Sequence, residues 1–244
     1  MNITENVKNV QSRFVAAARA AGRDPASVTL VAATKMNDAA KVQEAVRAGI
    51  EVCGENRVQE LLEKNEAGAY TGAALHFIGT LQKNKVKYIV GLCRLIESVS
   101  SDALLSCIDE QAKKRGLVQD VLLEINIGGE ASKSGFAPDA LPAALEKAST
   151  LSGVRVRGLM AIPPIAAVKG ANRGYFARMY QLFVDNSAKK YDNVSMDFLS
   201  MGMSGDFEDA IREGANLVRV GTAIFGARPY PPKTDESASR SARL

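Results

Sequence analysis

Val28-Thr-Leu-Val-Ala-Ala-Thr-Lys35 is an apolar run that ends abruptly in a lysine. Val28, Leu30 and Val31 mix with small residues, so the segment reads as a strand of a parallel sheet, buried on both faces. Asn37-Asp38 follow at once and can cap the next helix. A lysine at the carboxyl end of such a strand stands at the edge where parallel α/β folds bind ligands. An amine held neutral by its neighbours there can form a Schiff base. Alone, the same lysine reads more readily as a solvated loop residue, and the rest of the chain has to decide.

On both sides of this strand the pattern alternates. Asn2 and Glu5 form a capping box for a helix with Val7, Val10 and Phe14 on one face, stopped by Gly22. After 28–35, strands are predicted at 51–56, 75–79, 95–100, 118–127, 156–162, 195–202 and 217–220. Between them lie apolar residues at helical spacing, such as Leu104, Leu105 and Ile108, or Val86, Ile89, Val90 and Cys93. Eight strand–helix units specify a closed parallel barrel, a single α/β (β/α)8 fold of the TIM type, rather than an open sheet. The amino-terminal helix is expected to cover the groove between strands eight and one. Residues 1–230 are expected to form this one domain, and the polar stretch 231–244 a disordered tail.

Composition narrows the classes. The chain has 244 residues, 46% hydrophobic and 24% charged, which suits one such barrel with an ample core. The net charge of +4 arises from 31 basic and 27 acidic residues of interspersed sign, arguing against a nucleic-acid or membrane surface. No apolar run has the length of a membrane span, and the first residues lack a signal peptide's pattern. Cys53, Cys93 and Cys107 are odd in number and have no C-x-x-C spacing, so disulfides are not expected and a cytoplasmic location is. With His76 the single histidine, no metal site is expected.

The residues at the strand carboxyl ends carry the chemistry. Lys35, Asn56, His76 to Gly79, Glu97-Ser98, Asn126, Met160, Ser200 to Gly202 and Arg219 would converge around one barrel mouth. Arg219 interrupts an apolar strand. Gly221 and Thr222 follow it and open a short helix whose free N–H groups suit a phosphate. Ser200 and Ser204 add hydroxyls. An aldehyde for Lys35, a phosphate for Gly221, Thr222, Ser200 and Ser204, and a pyridine nitrogen facing Arg219 together suggest pyridoxal 5′-phosphate. Arginine keeps its charge, so the ring nitrogen would accept a hydrogen bond and the cofactor would be a weak electron sink.

Ala-Ala-Thr-Lys35, Gly54-Glu-Asn-x-Val-Gln-Glu60, His76-Phe-Ile-Gly79, Gly158-Leu-Met160, Leu199-Ser-Met-Gly-Met-Ser-x-Asp206 and Val218-Arg-Val-Gly-x-x-Ile-Phe-Gly226 resemble the pyridoxal phosphate homeostasis protein family, the YggS-like proteins. The resemblance runs in order from about Ile3 to Tyr230. It implies a barrel of the alanine-racemase type that holds pyridoxal phosphate as an aldimine of Lys35. On that pattern Arg219 faces the pyridine nitrogen, Ser200, Gly221 and Thr222 hold the phosphate, and Asn56 lies beside the ring. Some residues depart from the pattern: Leu75 stands where tryptophan is frequent, and Arg57 where an aromatic is common. Thr80 and Lys83 replace proline and serine, and Glu97 stands where histidine is expected.

Other readings compete. Gly128-Gly-Glu-Ala-Ser-Lys-Ser134 follows a strand, but the diagnostic glycines of a P-loop would fall at Ile127 and Ser132, so nucleotide hydrolysis is rejected. Lys133 reads as a solvated loop lysine, His76 as a hydrogen-bonded core residue, and the thiols as small buried side chains. An amino-acid racemase needs a second acid/base, which the short stretch after strand eight is not expected to supply. A Schiff-base aldolase would not need Arg219. The expectation is therefore a monomeric protein of pyridoxal phosphate homeostasis and amino-acid balance. It would hold the cofactor, pass it to apo-forms of enzymes that use it, and have little turnover of its own.

Overall fold

Eight parallel strands close on themselves in sequence order. The computed structural model describes residues 2–164 and 168–227, so the tail expected at 231–244 lies outside the described residues. The strands are β1 (Thr29–Ala33), β2 (Val52–Glu55), β3 (Ala74–Phe77), β4 (Leu95–Val99), β5 (Gln119–Glu124), β6 (Val154–Met160), β7 (Val194–Ser200) and β8 (Leu217–Val220). Closure is explicit in the pairing of β1 with β8, where Val31 lies opposite Arg219. The helices are α1 (Ile3–Ala20), α2 (Ala39–Arg47), α3 (Val58–Glu66), α4 (Val86–Ile89), α5 (Asp102–Lys114), α6 (Leu141–Ser149), α7 (Arg173–Ser187), α8 (Phe207–Arg212) and α9 (Thr222–Phe225).

The two-faced burial of the strands has a simple origin. Val31, Val52, Leu95, Leu122, Met160 and Leu217 fill the barrel. Their neighbours, such as Ala32, Cys53, Ile96, Leu123 and Val218, face the helical sheath. Helix starts follow local chemistry. The Asn2 side chain accepts from Glu5 N at 3.1 Å, and Asp38 from Lys41 N at 2.9 Å. Helix α1 packs over α8, α9 and α2, beside the β8–β1 seam. Asn6 Nδ2 donates to Ile224 O at 2.9 Å and Arg13 Nε to Glu208 at 2.9 Å, so the expected cover is fastened to α9 near its start and to α8 at its middle.

Two glycines are dictated by close approach. A Cβ on Gly158, at φ +140°, would lie 1.9 Å from Phe198 O, where β6 slips register against β7. A Cβ on Gly79 would lie 2.1 Å from Asn56 O, so this glycine lets the end of β2 close against β3. The helix predicted from Val86, Ile89, Val90 and Cys93 is a single turn. Val90 turns extended and Gly91 takes φ +77°, although Val90 and Cys93 remain buried. Among the described residues no helix is long and apolar enough to cross a membrane.

Candidate functional site

Lys35 sits two residues past β1, half-buried, in a turn held from below. Met36 adopts a left-handed backbone, φ +61°, an uncommon conformation for a residue with a side chain. Its N–H donates to Glu60 Oε2 at 2.8 Å. Partial burial pushes the Glu60 carboxyl up, but Met36 N–H and the Lys64 ammonium leave it below the usual value. Lys64 Nζ lies 3.2 Å from Glu60, 2.7 Å from Glu55 and 2.9 Å from Thr34 O. Glu55, fully buried, also accepts from Thr34 Oγ1 and Tyr70 OH and, through its other oxygen, from Asn56 N at 2.9 Å. One buried cluster thus fixes both the lysine turn and the start of the Asn56 segment.

Gly221, Thr222 and Lys35 line a single cavity of about 150 Å³, together with Lys41 and Asn37. Ser204 reaches the same place: its Oγ accepts from Gly221 N at 3.1 Å and from Ala223 N at 3.4 Å. A hydroxyl oxygen therefore already stands where first-turn amides would receive an anion. Ser200 lies apart from this group. Its hydroxyl donates to Glu97 Oε2 at 2.6 Å and accepts from Arg219 Nη1, inside the barrel.

Arg219 is 4% exposed and also donates to Ala161 O at 2.9 Å, with Glu97 Oε2 3.8 Å away. Burial lowers its pKa from the usual arginine value, opposed by the charges of Glu97, Glu124 and Asp206. Burial likewise pushes Glu97 up, but His76, Arg219 and Ser200 outweigh it and hold the carboxyl below its ordinary value. His76 Nδ1 lies 2.7 Å from Glu97 Oε1, so the histidine is the hydrogen-bonded core residue expected, but it faces the strand starts Ala74, Leu95 and Leu217 at the floor and not the mouth where it was expected to converge. Burial raises the Glu124 carboxyl above its usual value, and Ser134 Oγ donates to it at 3.2 Å.

Lys133 is not simply solvated: it pairs with Glu130 at 2.5 Å and donates to Pro163 O at 3.3 Å. Cys53 and Cys93 are buried, and burial pushes both thiols up to about 12, whereas Cys107 is only half-buried. The charge clusters around Glu55 and Glu97 were not foreseen. Their signal was present as carboxylates in otherwise buried strands and a lysine, Lys64, three residues from Leu61 on the inward face of a helix.

The donors fit an anionic aldehyde with an aromatic ring. Asn56 Oδ1 is buried with no hydrogen-bond partner among the described residues, an acceptor that a ligand would satisfy. The cavity lined by Lys35, Gly221 and Thr222 offers an amine, backbone N–H groups and a hydroxyl, and the Arg219 guanidinium lies inside the barrel.

Fold and site together define an alanine-racemase-type barrel, and residues 2–229 match the family model described as alanine racemase, N-terminal domain. The pyridoxal phosphate homeostasis protein of Pseudomonas aeruginosa is 45% identical over 228 residues, covering 93% of this chain and 96% of that protein. The protein of the same name from Aquifex aeolicus is 43% identical over 230 residues, 94% and 100% of the two chains. The structure of PipY from Synechococcus elongatus with PLP bound superposes with a TM-score of 0.79 at 33% identity, covering 92% of this chain and all of that one. The chain belongs to the pyridoxal phosphate homeostasis protein family.

Proposed function

We propose that this protein binds pyridoxal 5′-phosphate and serves intracellular homeostasis of that cofactor, and with it amino-acid balance, in the cytoplasm. The observation that carries this reading is the convergence of Lys35, Gly221 and Thr222 on one cavity, with Ser204 bonded to the Gly221 amide. When bound, the cofactor supplies an aldehyde that condenses with amines and a ring that withdraws electrons. Lys35 is the amine for that aldehyde. Ser204, Gly221 and Thr222 hold the phosphate through hydroxyl and backbone N–H groups, with Lys41 as a nearby cation. Asn56 presents its unsatisfied amide oxygen to the ligand. Arg219 donates to the ring nitrogen, and its permanent charge keeps that nitrogen an acceptor. Ser200, whose hydroxyl is committed to Glu97 and Arg219, serves the ring end rather than the phosphate.

A ring nitrogen kept as an acceptor gives little help to a substrate carbanion, so the protein is a monomeric carrier that delivers its cofactor to apo-enzymes, not an enzyme of ordinary turnover. The test is to incubate loaded protein with an apo-form of a pyridoxal enzyme, and separately with L- and D-amino acids. Activation of the apo-enzyme with negligible racemisation, transamination or decarboxylation supports the reading. Robust racemisation defeats it in favour of a racemase.

A further inference from the structure

Four polar side chains from four strands form one continuous chain through the barrel interior: His76 (β3), Glu97 (β4), Ser200 (β7) and Arg219 (β8). Their exposures are 5%, 0%, 0% and 4%, so water does not compete for these bonds. With Glu97 ionised the directions follow, since a carboxylate only accepts and His76 must then carry its proton on Nδ1. Glu97 accepts on both oxygens, from His76 Nδ1–H at 2.7 Å and from the Ser200 hydroxyl at 2.6 Å. Ser200 has one proton and gives it to Glu97, so its lone pair is what Arg219 Nη1 engages. The far end is not sealed. His76 lines an opening of about 230 Å³ at the amino-terminal floor of the barrel, with Glu51, Arg94, Asp120 and Arg157 around it.

We propose that Glu97 is a positioning residue for the cofactor, fixing the Arg219 guanidinium through Ser200 while its other oxygen carries that state to His76 at the floor. This rests on the reading above that Arg219 meets the ring nitrogen. Charge-assisted bonds in series polarise one another, so a change in what Arg219 donates to alters the Ser200–Glu97 bond and then the Glu97–His76 bond. A carboxylate suits this post because it accepts at both ends. The amide of a glutamine accepts at one end and donates at the other, so either the Ser200 hydroxyl turns away or His76 changes tautomer to accept at Nδ1.

Because His76 is the only histidine in the chain, its imidazole NMR signals identify themselves in full-length protein. In ligand-free protein the His76 ring signals should move on Ser200→Ala, although residue 200 does not touch the imidazole. They should return towards their original position in Ser200→Thr, which restores a hydroxyl, and stay put in Ser12→Ala on α1. Adding pyridoxal 5′-phosphate to the wild type should shift the same signals, and Ser200→Ala should reduce that response to what the direct 3.8 Å Arg219–Glu97 contact carries, while some cofactor still binds. Glu97→Gln should weaken cofactor binding roughly tenfold or more and change the absorption band of what remains bound. Unmoved His76 signals in Ser200→Ala, or in wild type saturated with cofactor, would overturn the proposal. The ligand-free arm distinguishes this from failure of the function itself: protein that shows the Ser200 effect yet binds no cofactor would contradict the proposed function and leave the coupled chain in place.

Discussion

Lys64 Nζ lies 2.7 Å from Glu55 Oε2 in a buried pair directly beneath the turn that carries Lys35. The ammonium also bonds Thr34 O and Glu60, whose carboxylate holds the left-handed Met36 N–H. The charge pair therefore shapes the backbone on both sides of Lys35. Such a pair is a device for geometry more than for stability, since desolvation offsets much of its attraction.

Breaking the pair from one side leaves an uncompensated buried charge. Lys64→Ala should lose about 3–5 kcal/mol in denaturant unfolding. The double variant with Glu55→Gln, which removes the stranded charge and keeps an acceptor for Asn56 N–H, should recover part of that loss while cofactor binding stays impaired, because the turn has lost its clamp. A Lys64→Ala protein as stable as wild type would contradict the assignment.

Phosphate recognition should be separable from aldehyde recognition. Ser204→Ala should weaken pyridoxal 5′-phosphate binding by roughly 1.5–3 kcal/mol and leave pyridoxal, which has no phosphate, unaffected. Calorimetry on both vitamers checks this, and equal affinities in the wild type would remove the phosphate site.

Thiol reactivity follows burial. Cys53 and Cys93, with thiols pushed up to about 12, should resist alkylation in the native state while Cys107 reacts. Mass spectrometry should find one modified cysteine before denaturation and three after; rapid labelling of Cys53 would contradict the packing of β2.

Acid should unfold the protein partly through Glu97. Its folded-state pKa is depressed, so its contribution is complete above the unfolded value of about 4.3 and is lost as pH falls through the lower folded value. Glu60 and Glu208 carry depressions of the same sign. Glu124, raised by burial, works in the opposite direction. Urea midpoints should therefore fall below about pH 4.3, and Glu97→Gln should flatten that fall; an unchanged slope would contradict it.

Much of the fold was legible because a parallel barrel buries both strand faces, a signature continuous in β2, β4 and β8, whereas in β7 only Leu199 and Ser200 are buried. The mouth was legible for the same reason: Lys35 and Arg219 interrupt apolar runs where nothing structural asks for a charge. What the sequence hid depends on closure. Glu97 and Ser200 lie 103 positions apart and meet only because the strands circle a common axis. Ser200 and Ser204 look alike in sequence, yet one ends β7 facing the interior and the other reaches the α9 amides. The shortness of α4 was hidden as well, since Val90 and Cys93 keep helical spacing while the chain at Gly91 turns away.

The central claim is that Lys35 is the residue that holds the cofactor covalently. Protein loaded with pyridoxal 5′-phosphate should be yellow. Borohydride should bleach it and fix the cofactor to a single peptide containing Lys35, found by mass spectrometry. Label on another lysine, or an unchanged visible band in Lys35→Ala, would contradict the account.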